Sequence, residues 1–237
     1  MTRDRLYRQA DAPHPFVFDE RVAAVFPDMI RRSVPGYGDT LALTRLVAAR
    51  FARPRTRLYD LGCAVGDSAV ALAEGARAAG VEVIAVDKAP SMIAAARARL
   101  DGRHGPPIHL LCADLRAVRV RRASVVALNY TLQFVPVDER TAVLTEARAG
   151  LVPGGALLLS EKMALDDPEG LLANLHADWK RANGYSDQEV ARKRAALEEV
   201  LVPEPQAAHE ARLRAAGFRR VYCLARRLQF VTLLALT

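Results

Sequence analysis

The run Arg57-Leu-Tyr-Asp-Leu-Gly-Cys-Ala-Val-Gly66 limits what this chain can fold into more than any other feature. An apolar strand over 57–61 enters a turn that carries two glycines, and a helix over 67–79 follows. A β-branched strand over 81–86 comes next, bounded by Gly80 and Asp87. Pro90 sits in the first turn of a helix running to 100, where its missing N–H does no harm. Strands over 108–112, 124–128 and 156–160 complete the pattern. A helix from 136 to 151 precedes the last of them, with Pro153-Gly154-Gly155 as its stop. Strand and helix alternate at least four times between 57 and 160. This predicts an α/β, Rossmann-like fold with a mostly parallel sheet and helices on both faces.

The 237 residues fit a single domain with extensions. Residues 1–18 read as a flexible arm. N-terminal helices occupy 19–52; Asp19 caps the first, and Pro27 should kink or break it. The Rossmann-like core covers 57–161. A helical region over 165–217 holds helices at 168–183, 186–201 and 206–216. The terminal strands over 218–237 should form an antiparallel hairpin that closes a seven-stranded sheet.

Composition excludes several classes. Cys63, Cys112 and Cys223 are too few and too scattered for a disulfide framework or a zinc cluster. The N-terminus has no secretory pattern, and the longest apolar stretch, 228–236, falls far short of the roughly 20 residues of a membrane helix. A cytoplasmic, reduced protein with no membrane association is expected. The net charge of +7 comes from 34 Lys+Arg, all arginine except Lys88, Lys162, Lys180 and Lys193. Two arginine clusters, at 50–57 and 116–122, are read as solvated faces, so direct nucleic-acid binding is not expected.

Three acids fall at strand ends: Asp60, Asp87 and Asp114. In an open α/β sheet they share the crevice where ligands bind. Asp87, 21 residues after Gly66, is spaced to accept both ribose hydroxyls of a nucleoside cofactor. The turn lacks the GxGxxG that a dinucleotide pyrophosphate uses. Asp60-x-Gly62-x-Ala64-x-Gly66 instead resembles the glycine motif of S-adenosylmethionine-dependent methyltransferases, with Ala64 where Gly is usual. Pro153-Gly154-Gly155 matches the same superfamily. After the fourth strand stands Asn129-Tyr-Thr-Leu-Gln-Phe134, without the Pro-Pro of amino-group methyltransferases. Cys63 reads as a small packing residue and not as a nucleophile.

Blocks beyond the glycine turn make the resemblance specific. Phe18 to Tyr37, with its Val-Phe-Pro-Asp-Met-Ile, is one. Tyr59 to Cys63, Asn129 to Phe134, Leu159-Ser-Glu-Lys162, Lys180-Arg-Ala-Asn-Gly-Tyr-Ser186 and Lys193-Arg194 are others. Together they resemble the carboxy-S-adenosyl-L-methionine synthases. The resemblance implies that S-adenosyl-L-methionine and prephenate give carboxy-S-adenosyl-L-methionine, phenylpyruvate and water. In the family's mechanism, hydroxide released from prephenate deprotonates the sulfonium methyl group, and the ylide captures carbon dioxide. Confinement then matters more than a side-chain base, and no acid/base residue is assigned. The resemblance places Tyr37, Gly62, Cys63 and Ala64 at the cofactor and Asp87 with Lys88 at the ribose, where Asn is usual at the Lys88 position. It places Asp114 and Leu115 at the adenine, Asn129 beneath the sulfonium end, and Arg194, in its own subunit or across a dimer interface, on the new carboxylate. It further implies a homodimer, no metal, and a product passed to a separate transferase that carboxymethylates tRNA wobble uridine. An ordinary methyltransferase acting on a small molecule or RNA, and a non-catalytic cofactor-binding or tRNA-associated protein, are the alternative readings.

Overall fold

The computed structural model describes residues 2–8 and 15–237. One sheet holds β1 (Arg57–Leu61), β2 (Glu82–Asp87), β3 (Ile108–Cys112), β4 (Ala123–Asn129), β5 (Leu151–Lys162), β6 (Arg220–Arg227) and β7 (Phe230–Leu236). The helices are α1 (Glu20–Ser33), α2 (Tyr37–Phe51), α3 (Asp67–Gly75), α4 (Pro90–Leu100), α5 (Arg140–Gly150), α6 (Leu171–Ala182), α7 (Asp187–Glu198) and α8 (Gln206–Ala215). The sheet order is β3-β2-β1-β4-β5-β7-β6. Pairing is parallel from β3 through β5, and β7 runs antiparallel between β5 and β6. The terminal hairpin therefore closes the sheet edge as the sequence predicts. Among the described residues no helix is long and apolar enough to cross a membrane.

The central strand shows why this sequence makes a two-faced sheet. Every residue of β4 is buried, as a parallel strand covered on both sides requires. Val126 and Leu128 face one layer with Leu144 of α5 and Leu213 of α8. Val125 and Ala127 face the other with Val47 of α2 and Leu72 of α3. Each large aliphatic side chain so buried contributes about 1.5–3 kcal/mol. A third cluster joins Val22 and Met29 of α1 to Val65 of the glycine turn, Met92 of α4 and Ala196 of α7. α1 thereby packs over the end of the sheet where the glycine turn lies.

Three expectations need correction. Pro27 lies inside a continuous α1, whose Asp19 cap accepts the Val22 amide as predicted. Val22, Val25 and Met29 are buried on both sides of the proline, and that burial outweighs its cost of about 3 kcal/mol. The described parts of 1–18 are anchored: Asp4, Tyr7 and Phe16 are buried. The Asp4 carboxylate takes the Tyr185 hydroxyl at 2.5 Å, and the Phe16 amide donates to the Ala196 carbonyl at 2.9 Å. Residues 9–14 of the arm lie outside the described residues. Finally, β5 begins at Leu151, so Pro153-Gly154-Gly155 lies within its irregular start, where the pairing with β4 shifts register.

Candidate cofactor site

A cavity of about 370 Å³ opens at the carboxyl ends of β1, β2 and β4, a size that suits a small organic ligand. Its lining includes Tyr37, Gly62, Cys63, Ala64, Asp87, Lys88, Asp114, Leu115 and Asn129. Nine of the ten residues named from the sequence therefore meet in one place. Arg194 does not line it; its side chain is exposed on α7, and the preceding residue, Lys193, is the one on the cavity wall.

The glycine turn is held from both sides. Gly62 has φ 87°, and a Cβ there would stand 2.2 Å from the Thr131 methyl, so this position excludes every other residue. Ala64 has φ 45°, the left-handed region that glycine occupies without strain, so the alanine carries a cost where the superfamily has Gly. Asp87 fixes the turn: Oδ2 accepts the Ala64 amide and Oδ1 accepts the Ala89 amide, both at 2.9 Å. Each oxygen keeps a lone pair free for a ribose hydroxyl. Burial raises the Asp87 pKa, and the two amides oppose the shift.

Asp60 is not in the crevice with the other two acids. It is 1% exposed, beneath the turn, and neither carboxylate oxygen has a well-formed hydrogen bond. Burial, with the charge of Asp87, pushes it up to about 8. An orphaned acid under the floor fits a ligand that brings positive charge, as a sulfonium and an α-ammonium do. Asp114 is held otherwise: Arg116 pairs with it at 2.6 Å and holds its pKa down at about 2. Its side chain also caps a short 3-10 turn at Leu115. Burial pushes the Cys63 thiol up, in keeping with a packing role.

At the other end, Asn129 is fully committed. Its Nδ2 donates to Thr44 Oγ1 and Ser68 Oγ, and its Oδ1 accepts from Ser160. The Tyr37 hydroxyl donates to Asp67 at 3.2 Å. Tyr130 follows with φ 60°, a strained state for an aromatic residue. Buried Glu161 pins the segment by accepting the Thr131, Leu132 and Gln133 amides.

Composition and spacing gave no sign of several wall residues. Phe16, Phe18, Phe26 and Phe134 form an apolar side, with the Phe18 and Phe134 rings 5.3 Å apart in a T-shaped contact. Gln133, Ser33 and Lys193 add polar groups. Lys193 Nζ donates to Ser33 Oγ at 2.8 Å, and burial brings its pKa down to about 7.

A strand-end cavity with a glycine turn on one side and an acid closing β2 is the cofactor site of the S-adenosylmethionine-dependent methyltransferase fold. A family model described as a methyltransferase domain matches residues 58–155. Human N-acetylserotonin methyltransferase in complex with SAM superposes with TM-score 0.64 at 15% identity, over 92% of this chain and 55% of that one. Magnesium protoporphyrin IX methyltransferase from Synechocystis, with bound SAH, gives 0.60 at 17% identity, over 88% and 86%. At these identities the likeness establishes the fold. The sequence relatives go further. The carboxy-S-adenosyl-L-methionine synthase of Trichlorobacter lovleyi is 52% identical over 207 residues, 86% of this chain and 85% of that protein. The one from Pseudomonas syringae pv. syringae is 46% identical over 98% of both. The chain belongs to the carboxy-S-adenosyl-L-methionine synthases.

Proposed function

We propose that this protein converts S-adenosyl-L-methionine and prephenate to carboxy-S-adenosyl-L-methionine, phenylpyruvate and water. The observation that carries the reading is the 46% identity across 98% of both chains to a synthase of that name. S-Adenosylmethionine supplies a methyl group whose hydrogens the sulfonium acidifies, and prephenate supplies the carboxyl group. Asp87 binds the ribose through its free lone pairs, with Lys88 beside it. Asp114 and Leu115 border the adenine, and the backbone of Gly62, Cys63 and Ala64 follows the cofactor. Tyr37 and Asn129 shape the sulfonium end, and Arg194 binds the new carboxylate as a bidentate fork. The phenylalanine wall excludes water, which protects a reaction that runs by confinement. No acid/base residue and no metal is required.

In this reading the protein is a cytoplasmic homodimer, and a separate transferase uses the product to carboxymethylate tRNA wobble uridine. Mass spectrometry tests the reaction. Purified protein is denatured and its released ligand identified, then the protein is incubated with S-adenosylmethionine with and without prephenate. A species heavier by one carbon dioxide, formed only with prephenate, is expected. S-Adenosylmethionine unchanged by prephenate would favour a methyltransferase instead.

A further inference from the structure

The lysines of this chain are not scattered. Only four of its 34 cations are lysine. Lys88 lines the cavity, and the other three, Lys162, Lys180 and Lys193, gather around the His176 imidazole, which burial and their charges bring down to about 3. His176 and Lys180 are four residues apart on α6 and share a face. Lys162 ends β5 opposite Phe230 of β7, whose ring lies 5.1 Å from the imidazole. By strand alternation Lys162 shares the sheet face of Ser160, which bonds Asn129 on the cavity wall.

This cluster borders the cavity. The Lys162 amide donates to Gln133 Oε1 at 3.2 Å. The Ser33 carbonyl lies 2.8 Å from His176 Nε2, and its hydroxyl takes Lys193. Gln133, Ser33 and Lys193 are all wall residues. Arg194 adds a fourth cation, near enough to act on both Lys162 and Lys180.

The cations of the cluster outnumber the acids near it. Among the described residues, Lys162, Lys180 and Arg194 make no ion pair. The acids close by act on Lys193 and are already engaged: Asp4 lies 4.0 Å from it and accepts the Tyr185 hydroxyl, and Asp28 pairs with Arg32 at 3.0 Å. Burial brings Lys180 down to about 8, with the charges of Lys162 and Arg194 adding to the shift, and burial lowers Lys162 as well. Like charges held together out of water are costly unless an anion arrives to pair with them.

We propose that Lys162 and Lys180 hold the carboxylates of the second substrate, a dicarboxylate, beside the cofactor cavity. The proposal rests on the function given above and deepens it: two lysines meet two negative charges. The transferred carboxyl group starts at the lysines and ends on Arg194, within one cluster of positive charge. Lysine suits the task because its compact ammonium can approach a small carboxylate in a confined space.

The test combines turnover with binding, for wild type, Lys162→Gln, Lys180→Gln and the corresponding Arg variants. Prephenate binding is measured on protein loaded with S-adenosylhomocysteine, and S-adenosylmethionine binding is measured separately. Each Gln variant is expected to raise the KM and Kd for prephenate roughly 10- to 100-fold, and the Arg variants to recover part of the loss. S-Adenosylmethionine affinity should stay within about twofold, because no cofactor contact is removed. Gln variants with wild-type prephenate affinity, in a wild type that still makes product, would overturn the proposal alone. Equal loss of both ligands with a lowered Tm would also overturn it, by showing a structural role. A wild type that neither binds nor consumes prephenate would overturn the function and the proposal with it.

Discussion

Asp87 Oδ2 accepts the backbone amide of Ala64 at 2.9 Å, so the acid that ends β2 is tied to the glycine turn that follows β1. One side chain therefore sets the shape of the turn and offers its remaining lone pairs to the ligand. Asp87→Ala should weaken S-adenosylmethionine binding by roughly 10- to 100-fold, the loss of hydrogen bonds to a charged group. It should also cost about 1–3 kcal/mol of stability by freeing the Ala64 and Ala89 amides. Calorimetric titration and urea denaturation check the two effects.

Asp60 predicts a pH dependence of the ligand-free protein. The unfolded carboxyl ionises near pH 3.9, whereas burial holds the folded one near 8. Between these values the folded state keeps the extra proton, so stability falls as pH rises through the window. Asp60→Asn should flatten that fall and be on the order of 1–3 kcal/mol more stable than wild type at the upper end. Its S-adenosylmethionine affinity should drop, because a bound sulfonium and ammonium favour ionisation of the carboxyl beneath them, and Asn cannot ionise. Thermal unfolding across pH, with and without ligand, separates the two results.

Arg194→Ala should lose roughly 10- to 100-fold in affinity for carboxy-S-adenosylmethionine, with little change for S-adenosylmethionine. Among the described residues Arg194 makes no ion pair, and in the proposed reaction the new carboxylate would supply its partner. Competition binding with both ligands measures it, and equal losses would remove Arg194 from the site.

The pKa of Lys180, brought down to about 8, gives a signature in rate. Its charge is present below that value and lost above it. The kcat/KM for prephenate should therefore fall as pH rises through about 8. Burial sets the low value, and the charges of Lys162 and Arg194, which face Lys180, add to it. In Lys180→Arg the falling limb should move to higher pH, since guanidinium does not titrate there.

What the sequence made legible was local. The 57–61 strand, Gly62 and Asp87 are neighbours of the same turn, and their pattern needs no partner to be read. The Asp19 cap and Pro90 at the start of α4 are local as well. Lys193 and Arg194 show the limit. They are adjacent on α7, and which one meets the cavity depends on how that helix packs on Ser33 of α1, a contact 160 positions away. The phenylalanine wall is assembled from the N-terminal segment, α1 and the turn after β4, so no single window contains it. Asp60 is similar: the motif names the acid, but only the packed floor shows that it lies beneath the crevice and not in it. At Pro27 the local penalty is offset by tertiary burial of Val22, Val25 and Met29, which no local window of sequence contains.

The central claim is that the carboxyl group of prephenate ends on the methyl carbon of S-adenosylmethionine in this protein's cavity. Prephenate carrying a heavy-carbon label in its ring carboxyl group, incubated with S-adenosylmethionine and the enzyme, tests this directly by mass spectrometry. The account predicts carboxy-S-adenosylmethionine that carries the label, formed together with unlabelled phenylpyruvate. An S-adenosylmethionine adduct without the label, or S-adenosylhomocysteine with a methylated acceptor, would contradict it.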